Sequence, residues 1–172
     1  MGDIDDVTLR SVPANEPMAK ILVLVVVGKD DKPLLIQDLS TPGWRPDPPH
    51  LASFVAHQAL DIIEDIVWSN SSIYLKEVDV FDCLAVSAYV TCSHVKFLLI
   101  TGAPGWTMPG GNPSQAGAMP SPPSCETIRA FLKDIHELYC KQLLNPLYMP
   151  NETIVSKEFY SRVEKIAKKH LY

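Results

Sequence analysis

The sequence predicts an α+β fold in the element order ββαβββαα, with an antiparallel sheet that is covered by helices on both faces. Three observations support this prediction: residues 20–27 are apolar after the initial lysine, three later strand-like runs are separated by short turns, and three segments have helical periodicity. A strand that is apolar at every position requires cover on both faces. Three helices can supply that cover, with one on one face and two on the other.

The strands are predicted at hydrophobic runs that turn residues interrupt. Residues 20–27 form the first strand, Gly28 begins a turn that ends at Pro33, and residues 34–36 return as the second strand of a hairpin. The other strands are predicted at residues 73–81, 84–91 and 95–101. The short joins between these three strands favour an antiparallel meander.

The first helix is predicted to follow the two prolines at 48–49 and to end around Trp68. Its apolar residues recur three and four apart from Leu51 to Ile66, and this stripe includes Phe54. The opposite face of the helix is polar and mostly acidic. It carries His57, Asp61, Glu64 and Asp65.

The second and third helices are predicted near the end of the chain. Ser124 is expected to cap the second helix, which starts at Cys125, has an apolar stripe that reaches Leu143 and ends at Asn145 before a proline. Ser156 is expected to cap the third helix, and lysines near its C-terminal end favour the helix dipole.

Two segments differ in composition from the predicted domain, which spans residues 20–172. Residues 1–19 are acidic and hold two prolines, so we expect a disordered tail. Residues 102–124 contain no charged residue and are rich in proline and glycine, which predicts an insertion between the last strand and the second helix.

Composition and charge argue against several functions. The chain has 172 residues with 20 acidic against 15 basic, and a net charge of −5 argues against nucleic acid as the main partner. No apolar run reaches the ~18–20 residues of a membrane span, and the acidic start does not resemble a secretory signal. The four cysteines lack metal-ligand spacing, and we expect reduced, mostly buried thiols.

The chain holds no recognisable nucleotide-binding, hydrolase or metalloprotease motif, so no catalytic residue, cofactor site or metal site is predicted. Two pairs of side chains lie four residues apart on helices. His57 and Asp61 are expected to form a solvated pair or a contact surface, and Cys140 beside His136 is expected to be a buried, unreactive thiol. These features favour contact with other proteins over catalysis.

Several segments in the same order resemble the sedlin family. They are the strand pair at 73–81 and 86–97, the sequence His-Gln-Ala-Leu-Asp at 57–61, the sequence Asn-Pro-Leu-Tyr-Met-Pro-Asn at 145–151, and Gly28 after the first strand. The resemblance covers about residues 20–101 and 125–172. The N-terminal tail and the insertion exceed the usual family length.

The resemblance implies a longin, or SNARE-like, fold with a five-stranded antiparallel sheet. It also implies a non-catalytic structural or adaptor subunit of the TRAPP complex, which tethers vesicles and promotes guanine-nucleotide exchange on a Rab GTPase in ER-to-Golgi and Golgi traffic. The expected partners are other small and large TRAPP subunits, with the Rab GTPase reached only indirectly. The expected location is cytoplasmic and peripheral at ER–Golgi and Golgi membranes, with membrane association only through the complex.

The resemblance also suggests roles for individual residues. Asp61, with its acidic neighbours and His57, is expected to meet an Arg or Lys of a partner, although a local structural carboxylate is the alternative. His94 and Phe97 are expected to hold the hairpin and the core. Gly28, Asn145 and Pro146 belong to the structural motif of the family.

Other functions stay open at this point. The domain would also suit a sedlin-like paralogue, a SNARE regulator or an adaptor light chain, since these share the fold class. A small enzyme that uses the Cys140–His136 or His57–Asp61 pair is a further alternative.

Overall fold

The computed structural model describes residues 21–40, 50–81, 84–102 and 123–172. These ranges contain five strands and three α-helices in the predicted order ββαβββαα. The strands are β1 (Ile21–Val27), β2 (Pro33–Asp38), β3 (Tyr74–Phe81), β4 (Leu84–Val90) and β5 (Lys96–Gly102). The helices are α1 (Leu51–Ser69), α2 (Cys125–Leu143) and α3 (Lys157–His170), and a 3-10 turn at Lys29–Asp31 joins β1 to β2.

The five strands form one antiparallel sheet in the order β2-β1-β5-β4-β3. The predicted hairpin and the predicted meander are both present, and β1 joins them by pairing with β5 along its whole length. Val25 of β1, for example, lies opposite Leu98 of β5. The sheet therefore agrees with the longin architecture that the resemblance implies.

The two faces of β1 pack into separate hydrophobic clusters. Leu22, Leu24 and Val26 pack with α2 and α3, whereas Val23 and Val25 pack with α1 on the other side. Because every one of these side chains is at most 7% exposed, the prediction of cover on both faces is confirmed. One helix covers one face of the sheet and two helices cover the other.

Both predicted helix caps are present. The Ser124 hydroxyl accepts a hydrogen bond from the backbone N–H of Thr127 at 3.2 Å, and the Ser156 hydroxyl accepts one from Phe159 at 3.4 Å. Each bond satisfies an N–H group that has no partner within its helix.

The second helix ends earlier than predicted. It stops at Leu143, and Asn145 instead starts a turn in which its side-chain oxygen accepts a hydrogen bond from the backbone N–H of Leu147 at 3.1 Å. Asparagine favours such turns because its short side chain can bond to the backbone two residues ahead. Pro146 lies exposed in this turn.

Two predicted core residues lie at the margins of their helices. Phe54 is 56% exposed and Leu143 is 39% exposed. Phe54 stands in the first turn of α1 beside Phe81, at the β3 edge of the sheet, and Leu143 is the last residue of α2. Helical spacing predicts a face but not where the sheet beneath it ends.

The prediction of mostly buried thiols is wrong for the described cysteines. Cys92, Cys125 and Cys140 are all exposed. Cys140 follows the buried Tyr139 by one residue, and a helical step of about 100° turns its side chain away from the sheet.

The turn after β1 packs closely against the connection between α2 and α3. A Cβ on Gly28 would lie 2.0 Å from the Oδ1 of Asn151 and 3.0 Å from a methyl group of Leu34. Asn151 has a φ of 64°, and its Nδ2 donates to the Lys29 carbonyl at 3.4 Å. The backbone N–H of Ile154 also donates to the Leu34 carbonyl at 2.8 Å. Two segments of the family resemblance are therefore in direct contact.

The predicted tail at 1–19 lies outside the described residues, as does nearly all of the insertion predicted at 102–124.

Candidate functional site

The outer surface of α1 is the most acidic helix surface in the described residues. We call it the α1 face and define it by Phe54, His57, Asp61, Glu64, Asp65 and Trp68, all of them exposed. Helix α1 contains no lysine or arginine between Leu51 and Ser69. The α1 face therefore carries three carboxylates without a compensating base on the same helix.

The buried side of α1 fixes which residues face outward. Val55, Ala59 and Ile63 are completely buried against β1, β4 and β5. Residues 54, 57, 61, 64 and 68 alternate in steps of three and four, so they form one stripe along the opposite side of the helix. A helix of this length spans about 28 Å, at 1.5 Å per residue.

The three carboxylates differ in their surroundings. Glu64 accepts a hydrogen bond from the Nζ of Lys96 at 3.3 Å, and the same ammonium lies 2.6 Å from Asp31 in the turn after β1. Asp61 and Asp65 have no ion-pair partner among the described residues, and no side-chain hydrogen bond joins His57 to Asp61 there. The structure thus gives Glu64 a local role and leaves the other two carboxylates accessible.

Aromatic side chains stand at both ends of the α1 face. Phe54 forms an edge-to-face contact with Phe81, with ring centroids 6.5 Å apart, and both rings are exposed to solvent. At the other end, Trp68 is 90% exposed. Sequence reasoning did not single out these aromatics as surface groups. The sequence feature that could have indicated an exposed aromatic side chain is the position of Trp68 outside the apolar stripe.

The other residues of the family motif occupy the turn and the core. His94 lies in the turn between β4 and β5 with a φ of 60°, and its N–H donates to the Thr91 carbonyl at 2.9 Å. Phe97 is completely buried and packs edge-to-face with Tyr89 and Tyr139. His94 also borders a shallow apolar hollow beside Trp68 and Val90, at the end of the α1 face.

Cys140 and His136 lie close together on α2. The Sγ of Cys140 is 3.5 Å from Nε2 of His136, and Nδ1 of the same ring is 3.4 Å from the hydroxyl of Tyr89. Burial lowers the pKa of His136, which keeps the imidazole neutral at pH 7. A neutral imidazole cannot stabilise a thiolate as an imidazolium would, so this geometry does not favour an activated nucleophile.

The described residues offer no group of three or more His, Cys, Asp or Glu side chains that would hold a metal ion. Within those same ranges, no helix is both long enough and apolar enough to cross a bilayer.

Comparison with known proteins assigns the family. The model of the Sedlin family matches residues 26–169, which includes α1, α2, all of α3 except its last residue, and the whole sheet except residues 21–25 of β1. The chain belongs to the sedlin family. The match includes the α1 face and the α2–α3 connection, as the sequence resemblance predicts.

Curated relatives of this sedlin-family chain come from several organisms. The 20 kDa subunit of the transport protein particle from Schizosaccharomyces pombe is 34% identical, over 71% of this chain and 76% of the relative. Subunit 20 of the trafficking protein particle complex from Saccharomyces cerevisiae is 28% identical, over 85% of this chain and 95% of the relative. The probable subunit 2 of that complex from Drosophila melanogaster is 28% identical, over 86% of this chain and 94% of the relative.

Proposed function

We propose that this sedlin-family chain is a non-catalytic subunit of a trafficking protein particle complex. The observation that carries the proposal is its similarity, over most of their length, to relatives that are named as subunits of such a complex. The same similarity does not favour the alternative function, in which the chain is an unrelated longin module such as a SNARE regulator or an adaptor light chain. The chain binds other subunits of the particle and reaches a Rab GTPase and ER–Golgi or Golgi membranes only through them.

The α1 face is the surface through which this subunit binds a neighbour. Asp61 and Asp65 are exposed and lack an ion-pair partner among the described residues, so a partner's arginine or lysine can pair with them without breaking an existing contact. Phe54 and Trp68 add apolar area at the two ends, and aromatic residues are enriched at protein interfaces. The fitting partner surface is therefore basic in its centre and apolar at its ends.

We do not expect this subunit to catalyse a reaction. The thiol–imidazole pair on α2 has a neutral histidine at pH 7, and Cys140 needs no catalytic role to explain its position. Nucleotide exchange on the Rab GTPase belongs to other subunits of the particle.

The test is affinity isolation of the tagged chain from its own cells, with quantitative mass spectrometry of the proteins that copurify. Asp61→Lys/Asp65→Lys reverses the two free charges, and we expect the bound neighbour to fall at least tenfold, which corresponds to about 1.4 kcal/mol of binding free energy. Glu152→Lys/Glu164→Lys is the matched control, because both glutamates are also exposed, neither has an ion pair among the described residues, and the net charge changes by the same amount. Circular dichroism of each purified variant checks that it remains folded.

Two results would contradict the proposal at different levels. If the wild-type chain recovers no subunit of the particle, the assignment to that complex is wrong. If it recovers the particle but the Asp61→Lys/Asp65→Lys variant does so equally well, the complex stands and the α1 face is not an interface.

A further inference from the structure

The groove between α2 and α3 has a charge opposite to that of the chain as a whole. Four cationic side chains and two carboxylates line it, and Leu138 and Ile166 contribute apolar surface. The cations are Lys141, Arg162, Lys165 and Lys169. The whole chain carries −5, so this groove is a local basic site in an acidic protein.

Two of these four cationic side chains form no ion pair within the described structure. Lys169 pairs with Asp134 at 3.1 Å, and Arg162 pairs with Glu158 at 2.6 Å. Lys141 and Lys165 are exposed and have no ion-pair partner in the described ranges. These two ammonium groups are therefore available to an anionic ligand that lies along the groove.

The start of β1 lies beside the C-terminal end of α3. The carbonyl of Leu22 accepts a hydrogen bond from the Leu39 N–H at 2.7 Å, and the Leu39 carbonyl accepts one from the hydroxyl of Tyr172. Residues 1–20 therefore join the domain next to the end of the groove that contains Lys169. Asp6 is 15 residues from Ile21, a chain length that can span up to ~50 Å, and α3 is only about 21 Å long.

We propose that residues 1–20 bind the α2–α3 groove of the same chain. Their first part alternates acidic and apolar residues, with Asp3, Asp5 and Asp6 beside Ile4 and Val7. The carboxylates pair with Lys141 and Lys165, and the apolar residues contact Leu138 and Ile166. Because residues 1–20 are covalently joined to the domain over a short length of chain, their effective concentration at the groove is in the millimolar range, and even an intrinsically weak contact is well populated. This proposal is independent of the complex to which the chain belongs.

The test compares ¹⁵N-labelled full chains by NMR, with amide chemical shifts as the readout. Neutralising the three acidic residues by Asp3→Asn/Asp5→Asn/Asp6→Asn is expected to shift the amides around Lys141, Arg162 and Lys165 while leaving α1 unchanged. The same groove amides should move when the wild-type chain is transferred to 1 M salt, where the screening length is about 3 Å.

Lysine variants provide the control for specificity. In Lys141→Gln/Lys165→Gln, neutralising the aspartates should produce no further shift in the groove. In Lys133→Gln/Lys157→Gln, which removes two exposed lysines outside the groove, the full shift should persist. The proposal is overturned if the groove amides do not respond to the aspartate changes. It is also overturned if their response depends on protein concentration, because the contact then forms between two chains.

Discussion

The buried ion pairs of Lys96 allow a specific prediction about stability. Its side chain is 8% exposed, and its ammonium lies 2.6 Å from Asp31 and 3.3 Å from Glu64, which are 43% and 58% exposed. The cation is therefore buried and its two partners are hydrated. We expect removal of the partners to cost far more stability than removal of the lysine.

The magnitudes follow from this asymmetry. Asp31→Asn/Glu64→Gln leaves a buried ammonium without a counter-charge, and we expect a loss of about 3 kcal/mol, at the lower end of the range for broken buried pairs because solvent reaches the carboxylates. Asparagine also tolerates the φ of 55° at position 31, so backbone strain does not confound the change. Lys96→Met fills the same space with apolar atoms and leaves two carboxylates that water can solvate, at a cost below about 1 kcal/mol.

Urea unfolding at pH 7 measures both changes. With a slope of about 2 kcal/mol per molar, the Asp31→Asn/Glu64→Gln midpoint should fall by about 1.5 M and the Lys96→Met midpoint by less than about 0.5 M. Asp61→Asn/Asp65→Asn removes the same number of charges from exposed, unpaired positions, and it should change the free energy of unfolding by less than about 1 kcal/mol. Equal losses for the two Lys96 perturbations would refute the reasoning.

Three further predictions concern the packing around α2 and the turn after β1. Gly28→Ala should destabilise by about 1–3 kcal/mol because its Cβ meets Asn151, and Asn151→Gly, which suits the φ of 64°, should recover at least about 1 kcal/mol of that loss. The stability of the wild-type chain should fall as pH drops below about 6.5, because burial lowers the pKa of His136 and the unfolded chain takes up the proton first. His136→Phe should reduce this dependence. Phe131→Ala, at a completely buried position, should cost about 3–5 kcal/mol.

Urea midpoints at several pH values check all three. Additive effects of Gly28→Ala and Asn151→Gly would show that the close contact is not what excludes a side chain at position 28. An unchanged slope of stability against pH in His136→Phe would assign the titration to another group. A loss below about 1 kcal/mol in Phe131→Ala would contradict the packing described for α2.

Local sequence signals predicted the features that depend on neighbouring residues. The all-apolar run at 21–27 predicted cover on both faces of β1, since a side chain at every position must be buried on one side or the other. Ser124 and Ser156 predicted helix starts because each cap bond reaches only three residues ahead.

Features that depend on distant residues could not be predicted in this way. Lys96 is separated by 65 and 32 residues from the two carboxylates that hold it, so no spacing rule connects them. The exposure of Phe54 depends on where the sheet ends beneath α1, and the pairing of β1 with β5 depends on the whole topology. The accessible Asp61 and Asp65 lie where the polar helix face predicted, but their role as an interface stays a prediction.

The most direct test of the central claim is native mass spectrometry of the assembly isolated through the tagged chain under mild conditions. If the chain is a subunit of a trafficking protein particle, it should be recovered in a stable complex with other subunits of that particle. The measured mass should correspond to one copy of this chain for each copy of the set of other subunits. Recovery of the chain alone, or with coat or SNARE components in place of particle subunits, would contradict the account while leaving the fold intact.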